Sequence, residues 1–169
     1  MENKVVVAYA SKYGATAEIA EKIGERLRQS GLQVDVVPVK KVKNLKEYKA
    51  VILGSAVYIG QWRKEAVKFL KRKQEQLAKQ PVWLFSSGPT QQGDPIESNK
   101  GEKYPASLKS IIEIIKPRDI TIFHGSIDTT KLNFIEKFMV GMVKAPVGDI
   151  RQWDNINTWA ETIANALKK

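Results

Sequence analysis

Six consecutive residues near the start of the chain combine hydroxyl side chains, a lysine and a glycine. They are Ser11, Lys12, Tyr13, Gly14, Ala15 and Thr16. Hydroxyl groups can donate hydrogen bonds, and the lysine adds a full positive charge. If a helix begins here, its first backbone N–H groups lack partners within the helix and lie at the positive end of its dipole. These features are typical of an anion site, and the ligand we expect is a phosphate group.

The residues on either side predict a strand before this turn and a helix after it. Residues 5–10 are apolar and form a run too short for a buried helix, which favours a buried strand. After the turn, apolar residues recur at helical spacing, at Ala17, Ile19, Ala20, Ile23 and Leu27. A strand that leads through a polar turn into a helix would hold the hydroxyls and the free amides at one point.

Two common nucleotide-binding motifs are absent from this turn. Gly14 stands alone, so neither the dinucleotide pattern G-x-G-x-x-G nor the pattern G-x-x-x-x-G-K-[ST] is present. A phospho-acceptor receiver domain would need acidic residues where the first strand ends in Ala-Tyr-Ala-Ser. Two interpretations remain, namely a monophosphate held by amides and hydroxyls, or an ordinary strand-to-helix turn that binds nothing.

The turn resembles the phosphate-binding loop of the flavodoxin family, which reads [ST]-x-T-G-x-T. Ser11, Gly14 and Thr16 match this pattern, and Tyr13 stands where the family often has threonine. The resemblance implies that the cofactor is FMN and that residues 11–16 hold its phosphate.

Length and composition restrict the class of protein. A chain of 169 residues is expected to form a single domain, 1–169, with a sizeable core. The absence of cysteine excludes disulfides, cysteine-ligated zinc and iron–sulfur clusters, and a single histidine argues against a metal site. No apolar run approaches the ~20 residues of a spanning helix, and the start lacks the apolar stretch of a signal peptide. We therefore expect a cytoplasmic protein.

The net charge of +10 bears on the partners of the chain. Any single lysine is best explained as part of a solvated helix face. The excess as a whole favours a polyanionic partner or an anionic membrane surface, so peripheral association with the inner face of the membrane is an alternative location. No RNA- or DNA-binding motif is present and the aromatic residues are not interleaved with the basic runs, so we do not expect nucleic acid as a partner.

The order of apolar runs and helical patterns predicts an α/β fold. Strands are predicted at 4–10, 33–38, 50–54, 82–86 and 119–124, and helices at 15–30, 62–78, 105–116 and 153–167. Such alternation gives a three-layer, doubly wound parallel sheet of five strands, for which we expect the flavodoxin-like order 2-1-3-4-5. A ligand would then lie outside the carboxyl ends of the strands, between strands one and three.

The turns after strands three and four are expected to meet the first turn at that point. The turn after strand three combines small residues, an aromatic and a glycine, namely Ser55, Ala56, Tyr58, Ile59 and Gly60. Such a loop could offer an isoalloxazine ring an apolar wall and backbone amides. The resemblance implies that Tyr58, Ile59 and Gly60 contact the ring. For Tyr58 and Trp62, packing on the protein surface is the alternative.

The turn after strand four begins with Ser86, Ser87 and Gly88. The resemblance implies that backbone groups of this turn lie against the other edge of the flavin ring. Its side chains are small, so a planar ligand could approach the backbone closely.

A long connection follows strand five. About 28 residues, 124–152, precede the last helix, which is more than a typical connection. Within them an apolar stripe at helical spacing predicts an extra amphipathic helix, carried by Leu132, Ile135, Phe138, Met139, Met142 and Val143. This helix could pack on the domain, cover the flavin edge, dock a partner or lie on a membrane surface.

The extra helix, the segment Gly148-Asp149-Ile150-Arg151 and the tryptophan-led last helix resemble one branch of the flavodoxin-like proteins, the menaquinone-dependent protoporphyrinogen IX dehydrogenases. The resemblance covers residues 11–16, 53–60, 134–142, 148–151 and 159–164. It implies an oxidoreductase that oxidises a tetrapyrrole-type substrate and passes electrons to a quinone.

Two other functions remain open from the residues. One is a flavodoxin-type electron carrier that docks to redox partner proteins and has no substrate of its own. The other is a basic binding module without redox chemistry. No catalytic acid or base stands out, because His124 is the only imidazole and a histidine at a strand end is more often structural. His124 is nevertheless the one candidate that the sequence offers for proton transfer.

Overall fold

A computed structural model of the chain describes residues 4–88, 101–127, 148–149 and 151–168. Five long strands form its main sheet. They are β1 (Lys4–Ala10), β2 (Gln33–Pro38), β3 (Ala50–Tyr58), β5 (Val82–Gly88) and β6 (Asp119–His124). Their order is β2-β1-β3-β5-β6 and their pairing is parallel throughout. This confirms the predicted order 2-1-3-4-5, because β5 and β6 are the fourth and fifth long strands.

Among the residues that the structure describes, four helices cover the two faces of this sheet. They are α1 (Ala15–Gln29), α2 (Lys64–Leu77), α3 (Lys109–Ile115) and α4 (Trp153–Leu167). α1 packs against α4, and α2 packs against α3. The chain is therefore a three-layer α/β structure, as the alternation of strand and helix patterns predicted.

The apolar runs of the strands serve two cores at once. In β1, Val5 and Val7 pack in a cluster with the apolar face of α1, whereas Val6 and Ala8 pack in the cluster that contains Phe69 of α2. Successive side chains of a strand point to opposite faces, so a strand buried on both faces must be apolar at every position. This requirement explains why residues 5–8 show no alternation of polar and apolar side chains.

Two helices differ from their predicted bounds. Trp62, the predicted start of a helix, lies instead in a short strand, β4 (Gln61–Trp62), which pairs antiparallel with the end of β3. The helix predicted at 105–116 divides into a 3-10 turn (Ala106–Leu108) and α3. In both places a local turn, which periodicity does not detect, sets the start of the helix.

The long connection after β6 starts and ends in a small antiparallel ribbon. Strand β7 (Ser126–Ile127) pairs with β8 (Gly148–Asp149). The extra helix predicted at residues 132–143 lies outside the described residues. None of the helices in the described ranges has the length and apolar character needed to cross a bilayer.

Candidate functional site

Parallel pairing aligns the carboxyl ends of four strands at one edge of the sheet. Ala10 of β1 is opposite Ser55 of β3, Ser55 is opposite Ser86 of β5, and Gly88 is opposite His124 of β6. The three predicted loops leave the sheet from this edge. The first loop follows β1, the second loop follows β3 and the third loop follows β5. The structure thus brings the predicted site residues into one region, although they are up to 77 positions apart in the sequence.

The first loop leads directly into α1. Gly14 is the residue before the helix and has a φ of +95°, in the left-handed region that favours glycine. Its N–H donates to Ser11 Oγ at 2.9 Å, and no side chain caps the helix. The first amides of α1, at Ala15, Thr16 and Ala17, precede the first intrahelical bond, in which Glu18 N–H donates to the Gly14 carbonyl at 3.0 Å. This is a set of backbone donors at the positive end of a helix, as an anion requires.

Thr16 connects the first loop to the third. Its Oγ1 lies 2.7 Å from Ser87 Oγ, and both side chains are buried. A hydroxyl has one donor and two acceptor positions, so this bond leaves each side chain the capacity for a further bond. The hydroxyl pair therefore fixes α1 against β5 at the edge where a ligand would lie.

Lys12 connects the first loop to the second. Its Nζ lies 5.1 Å from the ring centroid of Tyr13 and 5.2 Å from that of Tyr58. An ammonium group within about 6 Å of an aromatic ring is attracted by the negative face of that ring. The contact places a positive charge between the predicted phosphate loop and the predicted ring-binding loop.

The second loop is a tight hairpin between β3 and β4. Tyr58 pairs with Gln61, which leaves Ile59 and Gly60 as a two-residue turn with φ values of +52° and +71°. Positive φ at both positions is the mark of a type I′ hairpin turn, in which a β-branched residue is strained. Ile59 is also 68% exposed and Tyr58 39% exposed. The hairpin turn therefore exposes apolar side chains, and its backbone is strained at Ile59.

Two predicted serines have partners within the protein. Ser55 Oγ accepts from Arg63 N–H at 3.0 Å and donates to the Ala56 carbonyl at 2.9 Å, which closes the hairpin. Ser86 Oγ accepts from Trp62 Nε1 at 2.7 Å. Trp62 is only 4% exposed, so packing is the role that the structure gives this tryptophan.

Backbone groups approach closely where the third loop leaves β5. Gly125 N–H donates to the Gly88 carbonyl at 2.8 Å, and a Cβ on Gly125 would lie 2.9 Å from the Gly88 carbonyl carbon. His124 beside them is 3% exposed. A buried imidazole is poorly placed to exchange a proton with a substrate at the rim. Within the described ranges, no cluster of three histidine or carboxylate side chains could hold a metal ion.

Arg151 lies in this region, and sequence reasoning assigned it no role of its own. Its Nε and Nη2 donate to the Asp149 carboxylate at 2.8 and 2.6 Å, while its Nη1 pairs with Glu18 and reaches the Ala15 carbonyl at 3.4 Å. Its guanidinium also lies 4.6 Å from the ring of Trp153. The segment Gly148-Asp149-Ile150-Arg151 was the available signal, but only the folded chain brings it to α1.

The Arg151 contacts have two electrostatic consequences. The hydrogen bonds that Arg151 donates to the Asp149 carboxylate, opposed by burial and reinforced by Glu18, raise the pKa of the guanidinium, and the same bonds lower the pKa of Asp149. The pairing also compensates the negative charge of Glu18 in the first turn of α1. An anion at the helix start then meets a weaker repulsion.

Comparisons with known proteins were made on the sequence and on the fold. A family model described as "Flavodoxin domain" matches residues 6–152. The chain is 20% identical to the protoporphyrinogen IX dehydrogenase [quinone] of Escherichia coli strain K12, over 98% of this chain and 97% of that protein.

Solved structures with the same fold include a flavodoxin from the domain Archaea. It has a TM-score of 0.63 and 16% identity, and the match covers 98% of this chain and 99% of that chain. The rubredoxin oxygen:oxidoreductase of Desulfovibrio gigas has a TM-score of 0.64 and 19% identity, over 98% of this chain and 36% of the other.

Proposed function

The chain belongs to the flavodoxin domain family, and from this membership we propose that it is an FMN-dependent oxidoreductase that oxidises a tetrapyrrole-type substrate and reduces a quinone. The flavodoxin-like fold supports a redox protein with a flavin cofactor, and FMN is the flavin that we propose. The tetrapyrrole-type substrate and the quinone acceptor go beyond what membership of the family implies. They are supported by a relative that is 20% identical over nearly the whole chain and is named for both.

The donor set of the site fits FMN. The uncapped amides that begin α1, together with the hydroxyls of Ser11 and Thr16, would hold the phosphate. Tyr58, Ile59 and Gly60 would face the ring, with the backbone of Ser87 and Gly88 on its other side. When bound, FMN supplies the ability to take up and release one or two electrons.

The residues of the chain would orient the cofactor and set its electrostatics. Lys12 holds a positive charge against Tyr58, which favours added negative charge in the site. The hydrogen bond between the Thr16 and Ser87 hydroxyls would hold the predicted phosphate loop in a fixed position relative to β5. The exposed side chain of Ile59 offers a flat apolar substrate a contact at the rim.

One observation carries this proposal. Two contacts, Thr16 to Ser87 and Lys12 to Tyr58, join the three loops at the point where the strand order reverses. In open α/β sheets, ligands bind outside the carboxyl ends of the strands at this switch point. The ligand-binding position of the fold thus coincides with the residues that could hold a flavin.

The test is a spectrum followed by turnover. We expect the purified protein, reconstituted with FMN if necessary, to show flavin absorbance and to oxidise protoporphyrinogen under anaerobic conditions when a quinone is added. A colourless protein that cannot be reconstituted would contradict the cofactor assignment. Flavin binding without turnover would contradict the substrate assignment alone.

A flavodoxin-type electron carrier is the second candidate, and the position of His124 favours it. The only imidazole of the chain is buried, so no imidazole is exposed at the rim where a substrate would lie. A carrier needs no such group, because it only exchanges electrons with a docked redox partner. Fast electron exchange with a partner protein, without turnover of protoporphyrinogen or quinone, would support this function.

A further inference from the structure

We propose that four exposed lysines beside the candidate site form a docking surface for an anionic lipid bilayer. We call them the basic shoulder, and they are Lys40, Lys41, Lys64 and Lys68. The choice of a bilayer rests on the proposed function, because a quinone acceptor resides in lipid. The location of the surface rests on the charge distribution of the molecule.

The charge of the chain is divided unequally between the two helical layers. α2 has five basic and two acidic residues, and the connector at residues 39–49 has five lysines and one glutamate. In the opposite layer α1 has three basic and three acidic residues, and α4 has two acidic residues and no basic one. The positive charge is therefore concentrated on the side of the sheet that α2 covers.

The two layers also differ in how their charges are compensated. On the α1 and α4 side, Lys22 pairs with Glu25 and Arg26 pairs with Glu161. On the α2 side, Glu65 pairs with Arg63. In the part of the chain that the structure describes, the four lysines of the basic shoulder form no ion pair. Lys40 lies close enough to Glu65 to attract its carboxylate, whereas the charge of the other three lysines is directed to solvent, where it attracts a polyanion.

The basic shoulder lies at the same edge of the sheet as the site. A 3-10 turn that contains Lys40 and Lys41 (Val39–Lys41) directly follows the carboxyl end of β2 and packs against α2. Lys64 and Lys68 lie in the first two turns of α2, which begins just after the hairpin. The hairpin carries Ile59, which is the most exposed large apolar side chain in the described ranges. An apolar tip thus lies beside a cluster of cations.

A bilayer suits this combination better than a protein or a nucleic acid. The basic shoulder is built from lysines alone, whose flexible point charges suit a diffuse anionic surface, whereas phosphate-specific recognition favours the planar fork of arginine. Lysines close to anionic lipid each strengthen binding by about fivefold, and an adjacent apolar side chain can enter the headgroup region. If the chain docked to the bilayer by this edge of the sheet, the candidate site would face the membrane in which the quinone is dissolved.

Charge-reversed variants of the full chain test the location of the surface. Lys64→Glu with Lys68→Glu changes the shoulder, and Lys22→Glu with Lys168→Glu is the matched control on the opposite layer. Each pair of substitutions lowers the net charge from +10 to +6. Binding is measured by cosedimentation with vesicles of phosphatidylcholine containing phosphatidylglycerol, and with vesicles of phosphatidylcholine alone.

We expect the unmodified chain to bind the anionic vesicles and not the neutral ones, with an affinity that falls as salt is added. The shoulder variant should lose about twentyfold or more, at about fivefold per lysine, and the control should lose less than about threefold. Equal losses in both variants would overturn the proposal, because net charge alone would then explain binding. If the shoulder variant fails to fold, Lys40→Glu with Lys41→Glu changes the same surface and the same net charge.

Two further results would overturn the proposal. One is the absence of binding to anionic vesicles at low salt. The other is tighter binding of the unmodified chain to a single-stranded RNA oligonucleotide than to the vesicles, lost in the shoulder variant. Vesicle binding is measured with and without FMN, and FMN binding is measured without vesicles. Failure of the cofactor assignment is thereby distinguished from failure of the docking surface.

Discussion

At the residue scale, the candidate site contains side chains that bond to the protein and have the capacity left to bond to a ligand as well. Thr16 illustrates this, because its buried hydroxyl meets Ser87 while its amide is one of the uncapped donors that begin α1. Ser11 is similar, since it accepts from the Gly14 N–H and retains a proton to donate. The phosphate loop is thus held in shape by the groups that would bind the phosphate.

Replacing Thr16 with valine tests this double role. Valine keeps the shape but removes the hydroxyl, so we expect FMN affinity to fall by one charge-assisted hydrogen bond, roughly 1.5–3 kcal/mol. Riboflavin, which has no phosphate, should bind with unchanged affinity in a fluorescence titration. Thr16→Ser keeps the hydroxyl and is the control. Unchanged FMN affinity in the valine variant would place the phosphate elsewhere.

Ile59 provides a second test at this scale, because its backbone is strained. An L-residue in the left-handed region costs roughly 1–2 kcal/mol, whereas asparagine is tolerated there. Ile59 is largely exposed, so its replacement removes little burial. We expect Ile59→Asn to raise the free energy of unfolding by about 1 kcal/mol in urea titrations. The control is Ile114→Asn, an exposed site in α3, where no gain is expected; equal effects would contradict the strain.

Sequence reasoning predicted that the candidate site residues would lie at one edge of the sheet, but not which partners their hydroxyls would have. Gly14 and the helix start after it followed from the local pattern, because a glycine and a polar turn act on their immediate neighbours. The hydrogen-bond partners of Ser55 and Ser86 could not be predicted from the local sequence. Ser55 bonds to a backbone amide eight residues away and Ser86 to an indole 24 residues away. Such pairs depend on strand register and on a hairpin that the sequence did not reveal.

At the element scale, the ends of the long connection are tied to the helix that begins at the phosphate loop. Arg151 is only 8% exposed and links β8, through Asp149, to Glu18 and the Ala15 carbonyl in the first turn of α1. One guanidinium can make these contacts because its donors form a planar fork. The position of α1 and the position of the ribbon are therefore coupled.

Replacing Arg151 with methionine should loosen this coupling. The expected loss of unfolding free energy is about 1–3 kcal/mol, because a mostly buried guanidinium with several partners is removed while its carboxylate partners remain solvated. Arg26→Met is the control, since it removes a more exposed pair with Glu161 and should cost less than about 1 kcal/mol. Chemical denaturation measures both, and equal losses would contradict a special role for Arg151.

Sequence patterns predicted the long elements and missed the two-residue strands β4, β7 and β8. The predicted and observed bounds agree at β2, β6 and α4, where periodicity or an apolar run extends over several residues. β4 has two residues, too few for a pattern. Its turn begins with isoleucine, which disfavours positive φ, so the hairpin lacked the usual Asn-Gly or Asp-Gly signal. Long-range pairing with β3 overrides that local preference.

At the scale of the whole molecule, charge is separated between the two layers while each layer keeps its own core. Besides the Arg63–Glu65 pair on the α2 side, compensated pairs lie on the α1 and α4 side and at the sheet edge, where Asp35 accepts from the Tyr48 hydroxyl at 2.7 Å and pairs with Lys4 at 3.1 Å. The hydrogen bond from Tyr48, reinforced by Lys4 and opposed by burial, lowers the pKa of Asp35. This carboxylate links global stability to pH.

The lowered pKa of Asp35 predicts how the free energy of unfolding changes with pH. A carboxylate whose pKa is lower in the folded state stabilises the fold above its unfolded pKa, near 3.8, and the stabilisation is lost as pH falls through the folded pKa. Asp35→Asn should therefore lower the free energy of unfolding at pH 7, by no more than about 1 kcal/mol because the pair is partly exposed. The difference between variant and unmodified chain should shrink below pH 3.8. In a Tyr48→Phe background it should already be smaller at pH 7, and a constant difference would contradict the linkage.

The central claim is that the loop beginning α1 holds the phosphate of FMN, and its most direct test compares FMN with riboflavin. The two ligands share the ring and differ in the phosphate. Titration of the apoprotein should show FMN binding at least about 100-fold more tightly, which corresponds to two charge-assisted hydrogen bonds at about 1.5 kcal/mol each. Equal affinities, or no binding of either ligand, would contradict the account.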